Sequence, residues 1–147
     1  MALRDPLRSA AHHDPLIQEH HRGRAALDEI EARLAYGFRE RRLLEEALTH
    51  ASAVRRAGPR RKARRSNERL EFLGDRVLGL MVAHMLIEHF RDDPEGTLAL
   101  RQDGLVRRET IAEIARKLGV GDWLVVAKSE EDGGGRDNPA ILADTVE

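Results

Sequence analysis

Ser66-Asn67-Glu68-Arg69-Leu70-Glu71-Phe72-Leu73-Gly74-Asp75-Arg76-Val77-Leu78-Gly79-Leu80-Met81-Val82-Ala83-His84-Met85-Leu86-Ile87-Glu88-His89-Phe90 contains no proline, and past Gly74 it is apolar on nearly every side. Such a stretch is a helix, and a helix apolar all round is normally the buried centre of an α-domain. Ser66 or Asn67 is expected to cap its start, with the carboxylates of the first turns well placed against the helix dipole. The expected fold is therefore all-α, with this long helix buried at its centre.

Upstream, Leu27, Ile30 and Leu34 recur at helical spacing, and Leu43, Leu44, Ala47 and Leu48 do so again after a short polar break, predicting two short amphipathic helices. Between these and the long helix, Arg55–Arg65 holds seven Arg or Lys in eleven residues, no acid, and Gly58-Pro59 in its middle, which makes it a loop. Downstream, Asp92-Asp93-Pro94 breaks the chain, and Thr97–Val106 and Glu109–Leu118 come next as helices, the second closed by Gly119. Gly133-Gly134-Gly135 is expected to be a flexible connection before a last helix starting at Asn138-Pro139. No strand pair and no internal repeat is visible. Residues 1–24, with Pro6, Pro15 and little periodicity, are expected to form a flexible leader, and residues 25–147 one domain. His12, His13, His20 and His21 are read as a polar tail rather than a metal cluster, because ligands need rigid support.

A chain of 147 residues with 41% apolar and 35% charged content has room for one core. It has no cysteine, which excludes a disulfide scaffold, a thiolate zinc site and a cysteine nucleophile. The apolar run Val77–Ile87 is interrupted by His84 and is far too short to span a membrane, and residues 1–24 lack the apolar core of a secretory signal, so a cytoplasmic protein is expected. The net charge of -1 hides an asymmetry: residues 1–65 hold 15 Lys/Arg against 9 Asp/Glu, and residues 66–147 hold 10 against 17. A basic part suits a polyanion and an acidic part gathers cations. The nucleophile elbow, the Walker loop and the dinucleotide-binding glycine motif are all absent. His50 is read as a packing residue at a helix end.

Glu68, Glu71 and Asp75 fall within a sector of about 60° on one helix face. Like charges so placed repel and need a cation to offset them. Asp144 and Glu147 repeat the arrangement at i,i+3. Two carboxylate pairs on two helices suit a hard divalent cation, although ion pairs with Arg69, Arg76 or Arg101, or plain solvation, account for the same spacing. Arg60, Arg61, Lys62, Arg64 and Arg65 of the basic loop either meet a phosphate backbone or form a solvated run in a chain with 22 Arg and 3 Lys. With only Tyr36, Phe38, Phe72, Phe90 and Trp123 as aromatics, mostly in apolar contexts, duplex-backbone recognition suits the composition better than base stacking.

Asn67-Glu68-Arg69-Leu70-Glu71-Phe72-Leu73-Gly74-Asp75 resembles the signature of ribonuclease III, the double-stranded RNA endonucleases, and of its bacterial type in particular. The resemblance continues collinearly in Ala47-Leu48-Thr49-His50-Ala51-Ser52, Leu105-Val106-Arg107, Ile111-Ala112-Glu113-Ile114-Ala115, and Gly134-Gly135-Arg136 through Ile141-Leu142-Ala143-Asp144 to Glu147, covering roughly residues 27–147. It implies a ribonuclease III-like helical endonuclease domain. By this similarity Glu71, Asp75, Asp144 and Glu147 match the family's metal-binding carboxylates, for Mg2+ with Mn2+ as substitute. Glu68 and Glu95 match further acidic positions of the cleft that lines the RNA, and the basic loop would add salt-sensitive affinity. Phe72 matches the aromatic that enters the partner subunit of a homodimer, whose two sites cut both strands and leave short 3′ overhangs. Precursors of rRNA and mRNA are the implied substrates.

In the family the last helix continues past the glutamate matched by Glu147, and bacterial members then carry a separate RNA-binding domain. Read on its own, this chain is expected to be an incomplete member with weak unaided cleavage. The alternative is a non-catalytic double-stranded RNA-binding fragment on the same fold. Ser129 and Ala140 stand where the family often has glycine and serine, away from the matched ligands.

Overall fold

Leu27 and Ile30 are buried on the inner side of a helix that is described from Pro15 onward. The computed structural model describes residues 15–55 and 65–147, with side chains over 25–54 and 65–147. Helix α1 (Pro15–Leu34) therefore runs through the expected boundary between leader and domain. Glu31 ties the end of α1 to the next helix, accepting the Phe38 N–H at 2.8 Å and the Arg41 guanidinium at 2.5 Å. Arg41 opens α2 (Arg41–Ala47).

Between α2 and α3 (Ala51–Arg55) the chain lies along Val125. The His50 N–H donates to the Val125 carbonyl at 3.0 Å, and the Val125 N–H to the Leu48 carbonyl at 2.8 Å, forming an isolated parallel bridge between Thr49 and Val125. The Ser52 hydroxyl oxygen then accepts the Ala127 N–H at 3.0 Å. No named strand occurs among the described residues, so the all-α expectation holds with this one bridge added.

Helix α4 (Glu68–His89) has the expected length but not the expected burial. Of its residues only Leu86 is buried, while Phe72, Leu73, Leu80, Met81 and Ile87 are exposed, Leu80 to 71%. The long helix runs along the outside of the chain, against α5 (Glu95–Val106) and the end of α8 (Pro139–Val146). Apolar periodicity shows that a face needs cover but not which chain supplies it. The N-cap expectation also changes. Asn67 occupies the position before α4 but makes no capping bond, and the Ser66 hydroxyl donates to Glu68.

The core lies instead around α6 (Arg108–Leu118) and α8. Ala112 and Ala115, both with no exposed surface, let α8 approach closely, and Leu44, Leu48, Leu124 and Leu142 fill the space around them. Helix α6 ends as expected at Gly119, whose φ of 70° is the left-handed conformation that glycine adopts without strain. The three-glycine run after α7 (Lys128–Asp132) is a packed turn, not a flexible connection. Gly135 is buried, and a Cβ there would stand 2.7 Å from the Glu130 carbonyl oxygen. Arg136 locks this turn, donating to the Gly121 and Leu124 carbonyls at 3.0 and 2.8 Å and to Glu131 at 2.7 Å. The chain then enters α8 where the sequence places its start, with the Asn138 side chain accepting the Ala140 N–H at 2.9 Å as a cap.

Candidate metal centre

Glu71 lies in the first turn of α4, and Asp144 and Glu147 lie one turn apart at the end of α8. One oxygen from each of the three carboxylates lies within 4.8 Å of the others. The helices meet this closely because of Gly74. A Cβ at that position would stand 1.5 Å from the Glu147 carbonyl oxygen and 2.3 Å from its carbonyl carbon. Backbone cannot yield as a flexible side chain can, so any side chain here drives the end of α8 away.

Asn67 registers the two helices. It is buried, as is Thr49, in an otherwise apolar interior. Its N–H donates to the Thr49 carbonyl at 2.9 Å, its carbonyl accepts the Glu71 N–H at 2.9 Å, and its side-chain amide donates to the Asp144 carbonyl at 3.4 Å. One residue thus joins the Thr49 segment, the start of α4 and the end of α8. A buried polar group must be bonded or it is costly, so these contacts specify one arrangement.

The electrostatics are those of a site short of positive charge. Burial pushes the Glu71 carboxyl above its ordinary range, and the charges of Asp144, Glu68 and Asp75 push it further, with Arg108 pulling back. Burial also raises Asp144, against Arg108 and His50, and it raises Glu147, helped by Asp75, Asp144 and Glu71 and opposed by Arg108. Among the described residues none of these three carboxylates makes an ion pair. An all-oxygen, uncompensated donor set on two packed helices fits a hard divalent cation.

These shifts set the pH response of the metal-free protein. A carboxyl with a raised folded-state pKa costs stability while ionised, and that cost vanishes as pH falls through the folded-state pKa. Glu131, held low by Arg136, acts oppositely and only at more acidic pH. The expected result is that Glu147→Gln raises the metal-free Tm near pH 7 and that this gain shrinks as pH falls toward the ordinary carboxylate range. Thermal unfolding in chelator across that pH interval checks it, and a gain independent of pH would contradict the assignment.

The remaining expected residues take other places. Asp75 falls outside the group that lies within 4.8 Å and pairs with the Arg76 guanidinium at 2.5 Å, although its charge acts on Glu71 and is the foremost charge acting on Glu147. Glu68 is exposed and accepts the Ser66 hydroxyl at 2.6 Å. Glu95 is exposed at the start of α5, outside the carboxylate cluster. Phe72 is 66% exposed, with the Arg76 guanidinium 4.4 Å from its ring centre. Arg65 is exposed just before Ser66, while Arg60, Arg61, Lys62 and Arg64 lie outside the described residues. Sequence reasoning missed Arg108, whose charge acts on all three clustered carboxylates from the first turn of α6, and it gave Gly74 and Asn67 no role in the site. His50, read as a packing residue, does bond Ser52 through Nδ1 at 2.9 Å, but its charge also reaches Asp144.

A helical domain that gathers carboxylates from two packed helices, with no thiol or imidazole in the cluster, has the donor chemistry of a hard-cation site. Residues 40–147 match the family model described as ribonuclease-III-like, and the chain belongs to that family. Ribonuclease 3 of Roseiflexus sp. (strain RS-1) is 42% identical over 124 residues, which is 84% of this chain and 52% of that protein. Ribonuclease 3 of Ruegeria pomeroyi is 46% identical over 123 residues, again 84% of this chain and 52% of that protein. The chain spans about half the length of the curated relatives it matches. A solved nuclease domain of ribonuclease III from Campylobacter jejuni, described for flexibility in a region involved in dimer formation, superposes with a TM-score of 0.72 at 38% identity, covering 82% of this chain and 78% of that one.

Proposed function

We propose that this domain is a magnesium-dependent endoribonuclease that hydrolyses phosphodiester bonds of double-stranded RNA, working as a homodimer in the cytoplasm on precursors of rRNA and mRNA. The observation that carries this reading is the convergence of Glu71, Asp144 and Glu147 within 4.8 Å, none of them in an ion pair among the described residues. A pure binder of polyanions gains nothing from such a cluster, which repels phosphate.

Glu71, Asp144 and Glu147 would hold the ion, with Asp75 as a further ligand from the same helix as Glu71. Bound Mg2+, or Mn2+ in its place, supplies an activated water and stabilises the leaving oxygen of the cleaved phosphodiester. The chain itself supplies position: Gly74 and Asn67 hold the two helices in register, so the carboxylates converge before substrate arrives. Arg108 offers a guanidinium to a phosphate at the edge of the cluster. Arg65 and the rest of the basic loop, with Glu68 and Glu95 further along the cleft, would follow the duplex backbone, where A-form shape and 2′-hydroxyls select RNA.

The dimer reading is supported by the uncovered apolar face of α4 and by an open groove of about 480 Å³ beside it, lined by Met85, Phe90, Leu100 and Leu105 among others. A single chain rarely leaves so much contiguous apolar surface to water. Among the described residues no helix is long and apolar enough to cross a membrane, so a membrane is not the proposed partner.

A long labelled RNA duplex incubated with and without Mg2+ tests the whole reading. Magnesium-dependent cutting into short duplexes is expected. Salt-sensitive binding with no cutting in Mg2+ or Mn2+ would mean that the domain only binds.

A further inference from the structure

We propose that Arg76 is a positioning residue that holds Asp75 out of the carboxylate cluster while the Phe72 ring is exposed, and releases it when a second copy of this chain covers that ring. The inference rests on the metal-site and homodimer readings above, and it links the two.

Residues i and i+1 of a helix point about 100° apart and do not face each other, whereas i and i+4 share a face. Asp75 therefore shares a face with Glu71, one turn earlier, and from there it is placed to join Glu71, Asp144 and Glu147. It does not join them. Those three lie within 4.8 Å of one another without it, and Asp75 is paired with its immediate neighbour Arg76 at 2.5 Å, at the flank of the group, from where its charge is the foremost one acting on Glu147.

Arg76 is held at that flank from its other side. Its guanidinium lies 4.4 Å from the centre of the Phe72 ring, an i,i+4 stack of cation on aromatic face. Phe72 is 66% exposed and begins the uncovered apolar face that continues through Leu80 and Met81. Two consecutive contacts thus run from the exposed apolar face to the fourth carboxylate, ring to guanidinium and guanidinium to Asp75. A ring inserted into a partner has its faces covered by apolar atoms, and a guanidinium cannot stay stacked on it without being desolvated. Arg76 must then move, and Asp75 loses the partner that draws it aside. All side chains involved are at the surface, so the exchange is local.

The consequence is a metal affinity that depends on assembly. The test is Mn2+ binding to the RNA-free protein, read from the electron paramagnetic resonance of free Mn2+, with oligomeric state fixed by sedimentation. Ile87→Glu supplies the monomer, since Ile87 is exposed on α4 eleven positions beyond Arg76 and twelve beyond Asp75, out of reach of both. The dimer is expected to bind Mn2+ about fivefold more tightly than the Ile87→Glu monomer, the low end for coupled sites because the ion pair is exposed. Arg76→Gln is expected to restore the dimer's affinity in the Ile87→Glu background and to leave the wild-type dimer nearly unchanged. Arg76→Lys in that background, which keeps the charge but stacks less well, should fall between.

Equal affinity in monomer and dimer overturns the proposal. So does an Arg76→Gln effect of the same size in both, because loss of a nearby positive charge tightens cation binding whatever the assembly. A wild-type chain that sediments only as a monomer removes the dimer reading and this proposal with it. Absence of Mn2+ binding in every variant removes the metal-site reading instead.

Discussion

Glu71→Gln is expected to lower magnesium-dependent cleavage of duplex RNA by about three orders of magnitude, equivalent to about 4 kcal/mol of transition-state stabilisation. The substitution keeps the volume of the side chain but removes its charge from the centre of the cluster, where Asp144, Glu68 and Asp75 all act on it. Metal-free RNA binding should be unchanged or slightly tighter, since one charge repelling phosphate is gone. The metal-free protein should also melt at a higher temperature, because the variant no longer holds an ionised carboxyl in a place that disfavours one. Single-turnover cleavage, filter binding in chelator and thermal unfolding separate these effects. Cleavage within tenfold of the parent would dispose of Glu71 as a ligand.

Gly74→Ala is expected to cost at least tenfold in divalent-cation affinity while leaving helix content and core stability nearly intact. Alanine in the middle of a helix gains about 1 kcal/mol over glycine in helix propensity, so α4 itself is favoured. The added methyl nevertheless falls within 1.5 Å of the Glu147 carbonyl oxygen, and the last turn of α8 has to swing away. Glu147 then leaves Glu71 and Asp144, while the buried part of α8, Ile141 to Ala143, stays packed on α6. Metal titration beside circular dichroism distinguishes this from general unfolding. A variant that binds metal normally would show that the close approach of the two helices is not needed.

Much of this was legible in the sequence, and the remainder was hidden for physical reasons. Helical spacing placed α4, α5, α6 and α8 to within one or two residues at most ends, because apolar periodicity, Gly119 and Asn138-Pro139 are local signals. The same spacing grouped Glu68, Glu71 and Asp75 on one face and Asp144 with Glu147 on another, since residues three and four apart share a face, but it left ion pairing and solvation open for all five. Burial of α4 was misjudged because an apolar face looks alike whether its own chain or another covers it. Arg108 and Gly74 went unnoticed as site residues for a different reason. Their roles exist only where α6 and α4 meet α8, and no local pattern announces a contact between positions so far apart in the chain. Asp75 belongs to both groups: its face was given by arithmetic, its pairing by the arginine next to it.

The bond from Asn67 to Asp144 spans 77 positions of the chain. Closing so long a loop is slow compared with forming any of the helices it joins. During synthesis, moreover, α8 leaves the ribosome after every other described element. A growing chain displays Glu71 long before Asp144 and Glu147 exist to meet it. The cluster therefore assembles only after α8 has been made, and a nascent chain that still lacks Asp144 and Glu147 holds Glu71 without the two carboxylates it meets in the folded domain.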